Sequence, residues 1–497
     1  MEVEVVGSRS MNNHFQIIGL PDSAVKESGH RVMSALYSCQ APVPAGPLLV
    51  NLAPASTRKQ GAALDLAIAL GVAALGGGLD PRSLRETLLV GELALDGKLR
   101  PVLGAFLVGD LAREKGFRQV VCPLESAREV HLAAPNLEIL PAAHLEEALL
   151  LVQGLTRPSP VPPPLSAGKR RPRPDLEDVR GQERAVRALL LAAAGRHHLL
   201  MAGPPGAGKT FLATRLPGIL PPLSPREQVE VTRVRSAAGL PVERLEEERP
   251  FRAPHHSISY AGLAGGGSDP RPGEVTLADR GVLFLDELPE FQRRTLEVLR
   301  QPLEEGTVRL ARAKGQWVFP ARFLLVAAMN PCPCGYLGHP RRPCRCAPGM
   351  VARYQARVSG PLLDRMDLRI WVPAVDPEDL LEGGKGPRGN LSSRAAREKV
   401  LEARERQAFR YRGTPFQTNG ELPSSLLDRF APLEEGPRKI LLHALKTLDL
   451  SARGLVRVRR VARTLADLEG EESIQEPHVL EALAFRGEAN FLPGEVL

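Results

Sequence analysis

Residues 198–216 read HLLMAGPPGAGKTFLATRL, and this stretch decides the fold. It holds a complete G-x-x-x-x-G-K-[ST] motif at residues 203–210. An apolar, strand-like run precedes it (198–202) and a helix-like run follows (211–216), which is the context a phosphate-binding loop requires. Gly203, Gly206 and Gly208, with Pro204, Pro205 and Ala207 between them, let the backbone curl until its amides face phosphate oxygens. The following helix adds its positive end. Lys209 is placed to reach the β- and γ-phosphates, and the Thr210 hydroxyl to ligate Mg2+. The expectation is an ATP site on a mixed α/β scaffold.

Downstream, GVLFLDE (281–287) is an apolar run ending in two carboxylates, as a buried central strand does where its tip meets a ligand. Asp286 is expected to hold Mg2+ through water, and Glu287 to polarise the attacking water as general base. A third apolar run, 323–329, ends at Asn330, whose amide can orient that water. GPLLDRMD (360–367) carries Arg365 in a tight polar turn, where it can serve as an arginine finger. Arg357 competes for that role, and an ordinary surface ion pair is the other reading of either residue. In the helical run from Ser451, steps of four, three and three align Arg453, Arg457, Arg460 and Arg463 on one face. Arg453 is expected to reach the γ-phosphate; the others are solvated or paired with Asp467 and Glu469.

The 497 residues exceed one ordinary domain. The content is 43% hydrophobic and 25% charged, ordinary for a globular chain, and no run approaches the roughly 18 apolar residues of a membrane span. The start, MEVEVVGSRS, alternates like a strand and lacks the layout of a signal peptide, so a cytoplasmic location without membrane contact is expected. A net charge of +8 permits a polyanionic partner without demanding one.

Three blocks separate. Residues 1–155 alternate strand-like runs (QIIGL, PLLVNLAP, QVVCP, LEIL) with helical ones at 62–75 and 144–152. Residues 156–174, TRPSPVPPPLSAGKRRPRP, are too rich in proline for regular structure and read as a stiff linker with a basic tail at Lys169, Arg170, Arg171 and Arg173. Residues 175–375 carry the nucleotide motifs. Residues 376–497 turn helical, over 391–412, 434–448, 452–469 and 476–485.

Four of the six cysteines crowd into Cys332-Pro-Cys334 and Cys344-Arg-Cys346, a C-x-C pair repeated after nine residues. Four thiolates suit a structural tetrahedral Zn2+; four free thiols are the alternative. Residues 307–319 read as a β-hairpin with a turn at Lys314-Gly315.

Taken together, FRAPHHS (251–257), PGEVTLADRGVLFLDELPEF (272–291), LRQPLEEG (299–306), NPCPCGYLG (330–338), SGPLLDRMD (359–367) and ARTLADLEG (462–470) resemble the YifB/ComM family of magnesium-chelatase-like AAA+ ATPases. IIGLPDSAVKES (17–28), VNLAPAS (50–56) and VGELALDGKLRPV (90–102) extend the resemblance over nearly the whole chain. It implies an N-terminal Lon-protease-like (S5-like) α/β domain, a P-loop AAA+ α/β/α core and a C-terminal helical lid. It further implies a homo-oligomer, a hexameric ring, that hydrolyses ATP and moves on single-stranded or branched DNA, with branch migration in recombination and natural transformation. In that branch of AAA+ proteins the hairpin enters the ring pore. Lys314 at its tip would then grip a phosphate backbone, or else be a solvated turn residue. The loop at 262–267 is a second pore-loop candidate, and His255 and His256 are read as structural.

Two other functions compete. A chelatase motor would remodel a porphyrin-loading partner to insert magnesium, but its motor subunit lacks the Lon-like domain. An ATP-dependent protease needs a serine and a lysine; here the serine position holds Ala63, and residues 103–109, where the lysine is expected, contain none. The family also carries residues ahead of the strand that begins here at Met1, so either the start codon is misassigned or the first hairpin is incomplete.

Overall fold

The computed structural model describes residues 1–7, 15–54, 59, 61–163, 173–267, 270–312, 315–374, 391–447 and 450–486. Lys169, Arg170, Arg171 and Lys314 lie outside them. The chain forms two compact units. One comprises Met1–Arg170, Gln228–Glu246 and Arg312–Gly315; the other comprises Arg171–Glu227, Glu247–Ala311 and Gln316–Leu497.

In the first unit, β1 (Glu2–Gly7), β2 (Phe15–Ile18) and β3 (Leu48–Ala53) form a sheet in the order β1-β3-β2, antiparallel at β1–β3 and parallel at β2–β3. A parallel sheet follows from β4 (Thr87–Leu89), β7 (Gln119–Pro123) and β8 (Glu138–Ala142), in the order β4-β7-β8. Between them in the chain lies a short hairpin of β5 (Glu92–Leu93) and β6 (Leu99–Arg100). The strand-like and helical runs read from the sequence fall on these strands and on helices Asp65–Leu75 and Leu145–Val152. Asp65 is fully buried and is held by Arg31, whose Nε and Nη2 donate to its carboxylate at 2.7 and 3.2 Å.

Residues 228–246 fall within the nucleotide block of the sequence, yet they pack with the N-terminal segment. Val242 shares a small apolar cluster with Phe106 and Ala133, and Val229 and Leu245 pack against it. Ser236 Oγ donates to Glu129 at 2.9 Å.

The second unit is built on β9 (Leu199–Ala202), β10 (Phe251–Arg252), β13 (Val282–Leu285), β16 (Leu324–Met329) and β17 (Leu368–Trp371). They form one fully parallel sheet in the order β10-β13-β16-β9-β17. Successive residues point to opposite faces, and both faces are apolar. Leu199, Met201, Phe284, Val326 and Ile370 enter one buried cluster, whereas Leu200, Leu283, Leu285, Leu325 and Met329 enter another. Helix Glu183–Gly195 and the C-terminal helices Ser393–Arg410, Ala452–Glu469 and Glu476–Arg486 cover the first face. The result is an α/β/α core with a helical C-terminal part, as expected.

Two small ribbons follow in the chain: β11 (Gly265–Gly266) with β12 (Arg271–Pro272), and β14 (Thr307–Arg312) with β15 (Gly315–Pro320). The second is the hairpin read from the sequence, its turn lying outside the described residues. The first shows that the glycine-rich stretch at 262–267 is partly a strand rather than a loop throughout. No helix among the described residues is long and apolar enough to cross a membrane.

Candidate nucleotide site

Sheet register assembles the site. Ala202 pairs with Met329, so the loops that leave β9 and β16 start side by side, at Gly203 and Asn330. Leu285 pairs with Ala327, which brings Asp286 to the same edge. In a parallel sheet this carboxyl-terminal edge is where ligands sit.

Gly206 (φ +79°) and Gly208 (φ +85°) occupy the left-handed region that the turn demands. Gly203 is needed for a different reason: a Cβ there would stand 2.1 Å from the Val372 carbonyl oxygen of the neighbouring chain segment. Lys209 Nζ donates to the carbonyls of Gly203 and Pro204, at 2.7 and 2.9 Å, and to Asn330 Oδ1 at 3.2 Å. Burial lowers its pKa to about 8, against the opposing pull of Asp286 and Glu287. Thr210 Oγ1 donates to Asp286 Oδ2 at 2.6 Å, which sets two hard oxygen ligands side by side. That donor set fits Mg2+. The phosphate cradle fits a nucleotide, because nothing lies within 4 Å of a Cβ placed on Gly206.

Glu287 sits at φ +51°, a conformation rare for a non-glycine residue, and its carboxylate lies 3.1 Å from His256 Nδ1. His256, read from the sequence as structural, is therefore at the site. A second group that the sequence reading missed is the DVRGQ run, 178–182. With Pro205, Gly206, Phe211, Leu212 and Ala374, the residues Asp178, Val179, Arg180 and Gln182 line a cavity of about 290 Å³ beside the P-loop. Its mostly apolar walls suit a nucleobase. The position of this run, between linker and first core helix, was the available signal.

The predicted arginines are not gathered here. Arg365 pairs with Glu304 and donates to the Pro361 carbonyl at 2.7 Å. With Glu304, Asp364, Arg453, Arg457 and Arg460 it lines a separate cavity of about 180 Å³ whose walls include no P-loop residue. Arg453 thus does not reach the phosphate cradle of its own chain in this structure. Arg457 is bound to Asp367 and Arg463 to Asp467. Arg357 pairs with Glu290 at 3.0 Å, three residues beyond Glu287. A larger cavity, about 440 Å³, opens beside Arg280, Gly281 and Leu324, where β13 and β16 begin. It is at the wrong end of the sheet for the nucleotide. The four clustered cysteines follow Asn330 directly and lie within 4.8 Å of one another.

A P-loop on a five-stranded parallel sheet, an acidic strand tip and a polar residue on the strand between them define a P-loop ATPase of the AAA+ class. Comparison with known proteins narrows this. The families described as magnesium chelatase, subunit ChlI, as subunit ChlI of Mg-chelatase, and as magnesium chelatase, subunit ChlI C-terminal, match residues 175–380, 3–126 and 390–486. The chain is 42% identical to competence protein ComM of Haemophilus influenzae, over 96% of this chain and 93% of that one. It is also 42% identical to Escherichia coli YifB, over 95% and 91%. Lon protease 2 of Bacillus subtilis matches at 32% over 30% of this chain. The chain belongs to the YifB/ComM family of magnesium-chelatase-like AAA+ ATPases.

Proposed function

We propose that this chain is a cytoplasmic ATP-hydrolysing ring motor, a homo-hexamer, that translocates on DNA and drives branch migration during recombination and natural transformation. The observation that carries the ring is the separation of the arginine cavity from the P-loop within one chain. Arg365 and Arg453 share one cavity; Lys209, Thr210, Asp286 and Asn330 are gathered elsewhere. A neighbouring subunit is therefore the source of the arginines that neutralise charge developing on the γ-phosphate.

Within a subunit, ATP is held by the 203–210 loop and Lys209, with its base in the Val179–Gln182 cavity. Thr210 and Asp286 are the residues that would hold Mg2+, which when bound supplies neutralising charge to the phosphates. Glu287 takes the proton of the attacking water, Asn330 orients that water, and His256 positions the Glu287 carboxylate. Arg365 is the finger in this reading because it shares its cavity with Arg453; within the single chain Arg365 and Arg357 are each held by a glutamate, Glu304 and Glu290.

DNA as the track is supported by the competence name of the Haemophilus influenzae relative, by the net charge of +8, and by the hairpin, whose strands carry Arg309 and Arg312. Lys314 belongs to the same proposal. The decisive assay is ATP-driven conversion of a labelled four-way junction into duplex products. Conversion that is lost in Lys209→Ala is expected; an intact junction despite vigorous ATP hydrolysis overturns the DNA-motor reading. The chelatase descriptions of the matching families favour one other function, remodelling of a protein partner, which predicts hydrolysis indifferent to DNA. The Lon-like block at Ala63 presents no hydroxyl for acyl transfer.

A further inference from the structure

Four sulfurs converge in the loop that follows Asn330. Cys332 Sγ lies 3.4 Å from Cys334 Sγ and 3.6 Å from Cys344 Sγ, and Cys334 Sγ lies 3.6 Å from Cys344 Sγ. All four sulfurs, Cys346 included, fall within 4.8 Å of one another. A disulfide would hold two of them about 2.05 Å apart, and no pair is that close. Around a tetrahedral zinc with bonds of about 2.3 Å, neighbouring thiolates stand about 3.8 Å apart. The separations are those of a coordination shell rather than of crossed disulfides.

We propose that Cys332, Cys334, Cys344 and Cys346 bind one Zn2+ in a closed all-thiolate site, and that this knot braces one wall of the nucleotide site. Four protein ligands leave no open position, so the metal is structural. Soft thiolates favour zinc over Mg2+, which keeps this site from competing with the Thr210–Asp286 pair for its ion. The loop is shaped for the task. Gly335 at φ +81° turns the chain, closed by its N–H donating to the Cys332 carbonyl at 3.0 Å. The Cys346 N–H points at Cys344 Sγ at 3.4 Å, the kind of outer-shell donor that steadies a thiolate ligand.

The bracing follows from what the knot touches. A Cβ on Gly335 would stand 2.7 Å from Pro205 Cδ, so the turn at Gly335 packs directly against the P-loop at Pro205. Cys332 is buried two residues after Asn330, which holds Lys209. On the far side, Gln355 Nε2 donates to the Pro331 carbonyl at 3.0 Å, tying in helix Pro348–Gln355 just ahead of Arg357. One metal thus fixes sensor, P-loop and the approach to Arg357 in a segment that otherwise has little regular structure between Met329 and Pro348.

Elemental analysis of the full-length protein, purified without chelator, tests this. One zinc per chain is expected, along with the intense visible bands of tetrahedral thiolate coordination when Co2+ replaces it. Cys344→Ser/Cys346→Ser should lose both signals, melt at lower temperature and bind ATP several-fold more weakly. Lys209→Ala should keep its zinc, which separates this proposal from the motor reading. Should the double variant not fold, titrating the wild-type thiols with a mercurial while a chromogenic chelator records zinc gives the same answer: one zinc freed as four of the six thiols react. Metal-free protein with four reactive thiols, two disulfides, iron in place of zinc, or zinc retained by the double variant would each overturn the proposal.

Discussion

Lys209 Nζ lies 3.2 Å from Asn330 Oδ1, so one ammonium ties the loop after β9 to the loop after β16. The same ammonium donates to two carbonyls of its own loop and is largely buried. The loop after β9 is thus folded around the group that a bound phosphate would draw to itself.

Burial depresses the Lys209 pKa to about 8, whereas a bound polyphosphate favours the charged form. The free protein loses this proton as pH rises through about 8, and the nucleotide complex keeps it. ATP binding therefore takes up a proton above pH 8, and affinity falls with rising pH by up to about tenfold per unit. Calorimetry in two buffers of different ionisation enthalpy should show the uptake, and Lys209→Arg should abolish it. Affinity that stays level as pH rises through and above 8 contradicts the assignment.

Glu287 and His256 should separate chemistry from binding. Glu287→Gln is expected to keep ATP affinity while slowing turnover by about 10²–10⁴-fold, the usual worth of a general base. His256→Ala removes one hydrogen bond to a charged group and should cost about 10–100-fold in kcat, with KM little changed. Single-turnover rates measure both. A His256→Ala enzyme with full turnover would leave the 3.1 Å contact without a role in catalysis.

The arginine cavity predicts complementation between subunits. Lys209→Ala and Arg365→Ala proteins should each be inactive alone. Mixed in equal amounts, they should recover about a quarter of wild-type ATPase, since about one random interface in four joins an intact P-loop to an intact finger. Arg453→Ala should behave as Arg365→Ala does. No recovery, in a mixture shown to exchange subunits, would mean that these arginines act on their own chain's nucleotide.

In the N-terminal unit the Arg31–Asp65 pair is the structural keystone, because Asp65 is fully buried beneath its partner. Arg31→Ala strands that carboxylate and should destabilise the unit by about 3–5 kcal/mol. Asp65→Asn with Arg31→Met should recover part of the loss. Chemical denaturation followed by circular dichroism reads both effects.

The parts of the candidate nucleotide site were legible in the sequence because each is local. A phosphate loop must lie between strand and helix, and a strand buried on both faces must be an unbroken apolar run, as VLFL (282–285) and LLVAAM (324–329) are. The C-terminal helices, Glu435–Thr447 included, were equally visible in their charge pattern. Long-range partners left no such trace. Helix Pro225–Ala237 falls within the nucleotide block of the sequence, and only the packed structure shows Val229 and Ser236 against the N-terminal segment. Arg365 reads as a finger or as a surface ion pair, and only the structure names its partner, Glu304, distant in the chain. His256 looked structural because nothing in FRAPHHS reveals that it lies beside Glu287.

The central claim, a motor whose track is DNA, is tested most directly by steady-state ATPase with and without forked or four-way DNA, using Lys209→Ala as the control. Strong stimulation by branched DNA that vanishes in the variant is the predicted result; a rate indifferent to every DNA structure would contradict it.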